Sequence, residues 1–166
     1  MKILCVSGLK NSGKTGLIEA LIPLLAKYGV RTAVIKHHGN RFEDDIPDRK
    51  GTDTYRFFES GAYGTVIYDD GMFSLVKRQT VPIEDLIAFF ADADLIMIEG
   101  AKDEPYPRIA MLRAGQPLTS DTKTLICAVT DPDYDTAALP AGLPRFDFGD
   151  FGPVADLVFK YIRSPE

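Results

Sequence analysis

KILCVSGLKNSGKTGLIEALIPLL, residues 2–25, sets an apolar run, a glycine-rich turn and an amphipathic run end to end. Gly8 and Gly13, followed by Lys14 and Thr15, fit G-x-x-x-x-G-K-(S/T), the phosphate-binding loop signature. The flanks supply the context that signature needs. Ile3–Val6 is a continuous apolar run, the pattern of a strand buried on both faces, while Leu17, Ile18, Leu21, Leu24 and Leu25 recur at helical spacing. The loop is therefore predicted at a strand-to-helix turn.

That position suits anion binding. Glycine adopts positive φ and carries no Cβ, so successive backbone N–H groups converge on one point where the helix macrodipole is positive. Lys14 is placed to reach the terminal phosphates of a nucleotide. The Thr15 hydroxyl is placed to ligate Mg²⁺, which takes oxygen donors and keeps several waters. The plainer reading is a glycine-rich turn that caps a helix, with a lysine on its solvated face.

A chain of 166 residues suffices for one well-buried domain and is short for two, so a single nucleotide-binding domain over residues 1–166 is expected. No apolar run approaches the ~18 residues of a membrane span, and Met1-Lys2-Ile3 leads straight into the first strand. A cytoplasmic protein is expected. Cys5 and Cys127 both fall in apolar strands and read as small hydrophobes. The net charge of −5 argues against bulk binding to nucleic acid or to an anionic membrane. Its distribution is uneven: residues 1–41 hold seven Lys and Arg against Glu19 alone, a charge of +6, and the other 125 residues carry −11. A positive first third around a phosphate loop suits a polyphosphate ligand, and chance clustering of surface lysines is the alternative.

Further along, RTAVIK (31–36) reads as a second strand after Gly29, and HHGNRFEDDIPDRKG (37–51) as a long polar loop. TDTYRFFESGA (52–62) reads as a helix with Thr52 or Asp53 at its start and Gly61 at its end. Residues 64–68 and 72–78 flank the turn signal DDG and predict a hairpin. A helix is expected over 82–90, strands over 95–98, 107–113 and 124–129, mostly loop over 131–152, and a closing helix over 154–162. This alternation predicts a three-layer α/β fold of the P-loop NTPase type, with a mainly parallel sheet and the antiparallel hairpin at its edge. Ligands of such sheets sit at the carboxyl ends of the strands. DLIMIEG (94–100) is there an apolar strand ending in an acid, so the Glu99 carboxylate is placed to hold Mg²⁺ directly or through water, while Asp94 begins the strand at the opposite edge.

GLKNSGKTGLIEAL, VIKHH, KGTDTYRFFESGA and DLIMIEGAKDEPYPRI stand in the order and spacing of the MobB family, and the resemblance runs from about residue 2 to residue 131. It implies a GTP-binding protein that assists a MobA-type transferase in attaching GMP to molybdopterin, giving molybdopterin-guanine dinucleotide. It also implies a homodimer with weak GTPase activity that acts mainly as an adapter. Carried over by motif position, Gly8, Asn11, Ser12, Gly13, Lys14 and Thr15 would bind phosphates, with Thr15 and Glu99 at Mg²⁺. Two positions depart from the family pattern: Gly16 stands where a second Thr is frequent, and Ala101 where an aromatic often follows EG.

Beside this resemblance, several residues keep two readings. Lys36 and His37 end a strand beside the loop and are candidates for nucleotide or pterin-phosphate contacts. His37 and His38 with Glu43, Asp44, Asp45 and Asp48 resemble a metal cluster only loosely, because the spacing matches no standard site. Asp53 is either a reach toward Mg²⁺ or a helix cap. Asp131, ending AVTD, lies where related NTPases read the base and would accept from guanine N1–H and its amino group; a surface turn before Pro132 explains it equally well. Lys102 and Arg108 are candidates for a partner or pterin-phosphate surface, against a solvated loop leading into a strand. Two other functions compete. A small-metabolite kinase would need extra arginines around the transferred group, and no Arg-rich lid segment is evident. A metallochaperone-type GTPase would carry a richer His or Cys motif.

Overall fold

Strands LIMIE and RIAML have apolar residues for both faces, and they form β5 (Leu95–Glu99) and β6 (Arg108–Leu112), in which every residue is buried. The structure, a computed structural model, describes residues 1–39 and 48–165. Between and around those two strands run β1 (Lys2–Ser7), α1 (Lys14–Ala26), β2 (Thr32–Lys36), α2 (Asp53–Glu59), β3 (Gly64–Tyr68), β4 (Phe73–Lys77), α3 (Ile83–Ala88), β7 (Leu125–Thr130), β8 (Arg145–Asp147) and α4 (Gly152–Arg163). The chain divides into two compact units, residues 1–37 with 84–166, and residues 38–83.

The first unit is built on a six-stranded sheet of order β2-β5-β1-β6-β7-β8 in which each neighbouring pair is parallel. Because strand side chains alternate between faces, Leu4, Val6, Leu95, Met97, Ile109, Met111, Cys127 and Val129 all point to one side. Leu17, Leu21 and Leu25 of α1 and Val154, Ala155 and Val158 of α4 cover them. On the opposite face Ala110, Leu112 and Ala128 pack with Tyr134, Leu118, Leu139 and Leu143. Burial pushes the Cys5 thiol up to about 11 and the Cys127 thiol up to about 12, so both free cysteines behave as core hydrophobes. Among the described residues no helix is long and apolar enough to cross a membrane.

One strand was not anticipated. Arg145–Asp147 forms β8, parallel to β7, within the stretch expected to be mostly loop; three residues with only Phe146 turned inward leave no periodicity to read.

The second unit holds α2 and the hairpin. Thr52 Oγ1 accepts from Tyr55 N–H at 3.3 Å, so Thr52, not Asp53, is the cap, and Gly61 follows the helix at φ +98°. β3 and β4 pair antiparallel from Gly64↔Lys77 to Tyr68↔Phe73, but as a separate two-stranded sheet and not as an edge of the parallel one. The turn closes locally, since the Asp69 carboxylate accepts from Gly71 and Met72 N–H at 2.8 Å each.

Candidate functional site

The loop between β1 and α1 is shaped by positions that tolerate no other backbone. Gly8 has φ +150°, and a Cβ there would lie 2.5 Å from the Met111 carbonyl oxygen of β6. Gly13 has φ +91°, and a Cβ there would lie 2.4 Å from Phe148 Cζ. Asn11, at φ 62°, supplies the third left-handed position with a side chain that accepts it readily. These turns fold the loop over the start of α1, whose N-cap is Gly13 itself. No side chain among the described residues caps that terminus, and its first turn holds no acid. Ser12 is fully buried in the loop, and its Oγ has no hydrogen-bond partner among the described residues.

Charged side chains converge on the same point. Lys14 Nζ donates to the carbonyls of Gly8 at 3.1 Å and Leu9 at 2.7 Å, which lays it along the loop. Burial holds this ammonium below its ordinary value; Lys102 and Lys36 add to the effect and Glu99 opposes it. Thr15 Oγ1 donates to both oxygens of Glu99, at 3.1 and 3.2 Å. The parallel register sets Glu99 beside Val6 of β1 and Lys36 of β2, and Lys36 Nζ lies 3.4 Å from Glu99 Oε2. A cavity of about 370 Å³ is lined by Lys10, Asn11, Gly13, Lys14, Thr15, Lys36 and Glu99. Three ammonium groups face one carboxylate there, so the cavity favours a polyanion. The Thr15 hydroxyl and Glu99 carboxylate are the hard oxygen donors that Mg²⁺ takes, and the lone Ser12 hydroxyl and uncapped helix start suit phosphate oxygens.

The other expected residues are distributed differently. His37 is exposed, and its backbone N–H donates to the Glu99 carbonyl at 2.9 Å, while Gly100 passes close to the His37 carbonyl at φ +87°. Asp53 belongs to the second unit, where it sits in the first turn of α2 with Arg56 Nη1 at 3.5 Å. Asp48 Oδ1 accepts from Arg49 N–H at 2.7 Å. Glu43, Asp44 and Asp45 lie outside the described residues, and among the described residues no three His, Cys, Asp or Glu side chains are grouped to hold a metal ion.

Lys102 is exposed on the loop after β5, but Arg108 is not a surface residue. Arg108 is buried at the start of the central strand β6, and its guanidinium donates to the carbonyls of Lys102, at 3.0 Å, and Glu104. The central position of β6 buries the head, so Arg108 ties down the loop of residues 102–104 and offers nothing to a partner. Asp131 follows β7, where its Oδ1 accepts from Arg113 Nη1 at 2.7 Å and its Oδ2 from Ala114 N–H at 3.2 Å. The Arg113 hydrogen bond is the main cause that holds the Asp131 carboxyl below its usual range; partial desolvation works against it.

Sequence reasoning missed three residues at this end of the sheet. Lys10 stands inside the loop signature itself, and its place was readable from the spacing. Arg113 and Phe148 give no such signal, because they meet Asp131 and Gly13 only through the strand order.

Comparison with known proteins gives the family. The model of the MobB family, described as Molybdopterin guanine dinucleotide synthesis protein B, matches residues 3–131. The probable molybdopterin-guanine dinucleotide biosynthesis adapter protein of Bacillus subtilis is 32% identical over 165 residues, 98% of this chain and 94% of that one. The molybdopterin-guanine dinucleotide biosynthesis adapter protein of Escherichia coli is 29% identical over 174 residues, with the same coverage of 98% and 94%. Among solved structures, Bacillus subtilis MobB superposes with a TM-score of 0.80 at 26% identity, covering 99% of this chain and all of that one. The MobB homolog from Bacillus stearothermophilus shares the fold with a TM-score of 0.70 at 21% identity. With the phosphate loop and the strand ending in Glu99 both inside the matched span, the chain belongs to the MobB family.

Proposed function

We propose that this chain binds GTP with Mg²⁺ at the β1–α1 junction and serves as an adapter in the synthesis of molybdopterin-guanine dinucleotide. In this reading it offers nucleotide to a MobA-type transferase that attaches GMP to molybdopterin. The observation that carries the reading is the pairing of Thr15 with Glu99 at 3.1 Å beneath an uncapped helix start, in a cavity with three lysines, on a chain of this family. Gly8, Asn11, Ser12, Gly13 and Lys14 would hold the phosphates, Thr15 and Glu99 the metal, and Asp131 the base. Lys36 and Lys102, both exposed beside Lys14, are the candidates for pterin-phosphate contacts. Any GTPase activity is expected to be weak, and the site of action cytoplasmic.

A homodimer is part of the same reading. Val66, Ile67, Tyr68, Met72 and Phe73 of the hairpin are each more than half exposed, an apolar surface of the kind that a second copy would cover.

The decisive experiment is reconstitution with purified transferase, molybdopterin and GTP titrated downward. The chain should raise dinucleotide yield at limiting GTP, and Thr15→Ala should lose the gain. No stimulation at any GTP level, together with no detectable complex between the two proteins, would refute the adapter role.

A further inference from the structure

Arg113, Asp131 and Phe148 follow β6, β7 and β8, three consecutive strands of the sheet on the side of β1 away from Glu99. Their side chains form one unit. Arg113 Nη1 donates to Asp131 Oδ1 at 2.7 Å, and the guanidinium carbon lies 3.3 Å from the centre of the Phe148 ring. The edge of that ring rests on Gly13 so closely that a Cβ there would be 2.4 Å from Cζ. One guanidinium thus joins a carboxylate, an aromatic ring and the last glycine of the phosphate loop. Neither partner of the ion pair is fully solvated, with side chains 35% and 25% exposed. Planar stacking leaves the arginine head little freedom to turn.

The arrangement leaves a specific hydrogen-bonding capacity. Each Asp131 oxygen accepts one bond from the protein, Oδ1 from Arg113 and Oδ2 from Ala114 N–H, and each keeps a further lone pair. Two adjacent acceptors match the N1–H and 2-amino donors of guanine. Adenine presents an acceptor at N1 and would be repelled. A nucleotide whose metal and terminal phosphates are taken at Thr15 and Glu99, on the β5 side of β1, can turn its base to this opposite side.

We propose that Arg113 is a positioning residue for purine selection: through its bond to Asp131 and its stack on Phe148 it holds the carboxylate where a guanine base is accepted and an adenine base refused. The proposal rests on the GTP reading above, and it adds a residue that acts through Asp131 without touching the nucleotide.

The test is calorimetric titration of the full chain with Mg²⁺ and GTP, ITP or ATP. In Arg113→Met, GTP affinity should fall about tenfold and ATP affinity should hold, so the GTP/ATP ratio falls by the same factor. ITP, which lacks the 2-amino group, should lose less than GTP. Arg113→Lys keeps the charge without the planar stack and should give an intermediate ratio. In an Asp131→Asn background, Arg113→Met should add little, since the arginine acts through that carboxylate. Equal losses for GTP and ATP, an unchanged ratio in either Arg113 variant, or full additivity with Asp131→Asn would overturn the assignment. Binding abolished by Lys14→Ala alongside an unchanged ratio in Arg113→Met removes only the role of Arg113. Absence of any Lys14-dependent binding removes the GTP reading with it.

Discussion

Helices α1 and α2 begin in opposite ways. Thr52 caps α2 with its own hydroxyl, and Asp53 in the first turn sets a negative charge at the positive end of the dipole. At α1 the cap position is Gly13 in a left-handed conformation, no described side chain closes it, and the nearby charges are three lysines against Glu99 alone. A free helix start ordinarily takes a capping side chain worth about 1 kcal/mol. The sequence around Gly13 forgoes one and sets three lysines around the same point with only Glu99 to offset them, an excess of positive charge that a bound anion would neutralise. The start of α2 is closed by its own residues; that of α1 is left open, as the proposed phosphate site requires.

Removal of the cation that lies along the open terminus should have the largest effect. Lys14 Nζ rests on the Gly8 and Leu9 carbonyls, and burial lowers its affinity for a proton, so an incoming phosphate would replace weak neutral contacts by a charge-assisted one. Lys14→Ala is expected to weaken GTP binding roughly 100-fold and leave the far-ultraviolet spectrum of the folded protein unchanged. Equal GTP affinity in folded Lys14→Ala would erase the distinction between the two helices.

Much of the open terminus was legible in the sequence, for a physical reason. The loop signature is local: Gly8, Gly13, Lys14 and Thr15 are fixed by covalent spacing, and the apolar run before them and helical spacing after them dictate a strand and a helix. Glu99 was legible because a buried strand ending in an acid has few places to put that acid. Arg108 was misplaced since a basic residue beside a polar loop reads as exposed, and only the sheet order makes β6 central. The hairpin was foreseen, but not that it would form a two-stranded sheet of its own among the described residues. The contact of Arg113 with Asp131 spans 18 residues of sequence and exists only because β6 and β7 are neighbours. Nothing local announces it.

At the closed terminus the expected effect is smaller and of another kind. Thr52→Ala removes the bond to Tyr55 N–H and should lower stability by about 1 kcal/mol in denaturant titration. GTP affinity should not change, since the Thr52 hydroxyl is spent on the first turn of its own helix. A loss of GTP affinity comparable to that of Lys14→Ala would mean that α2 too is part of the site, and the contrast would fail.

The smallest effect is expected at Gly16, the third residue of α1. Its conformation is helical and not left-handed, and a Cβ there would meet nothing within 4 Å. Neither the loop geometry nor its packing therefore demands glycine. Gly16→Ala should stabilise the fold by about 0.5 kcal/mol, through a less flexible unfolded chain and a better helix former. For a chain of this length that is a rise of roughly 1–2 °C in Tm. In the proposed site the phosphates would be held by backbone N–H donors of this turn, which alanine preserves, so GTP affinity should stay within about twofold. A substantial loss would mean that the ligand occupies the space beside Gly16. Gly16→Thr sharpens the point: threonine helps the helix less than alanine but adds a hydroxyl one position beyond Thr15. A gain in GTP affinity with threonine and none with alanine would separate a hydroxyl contact from helix stabilisation, and would show that the open terminus has room for one more phosphate ligand than this sequence supplies.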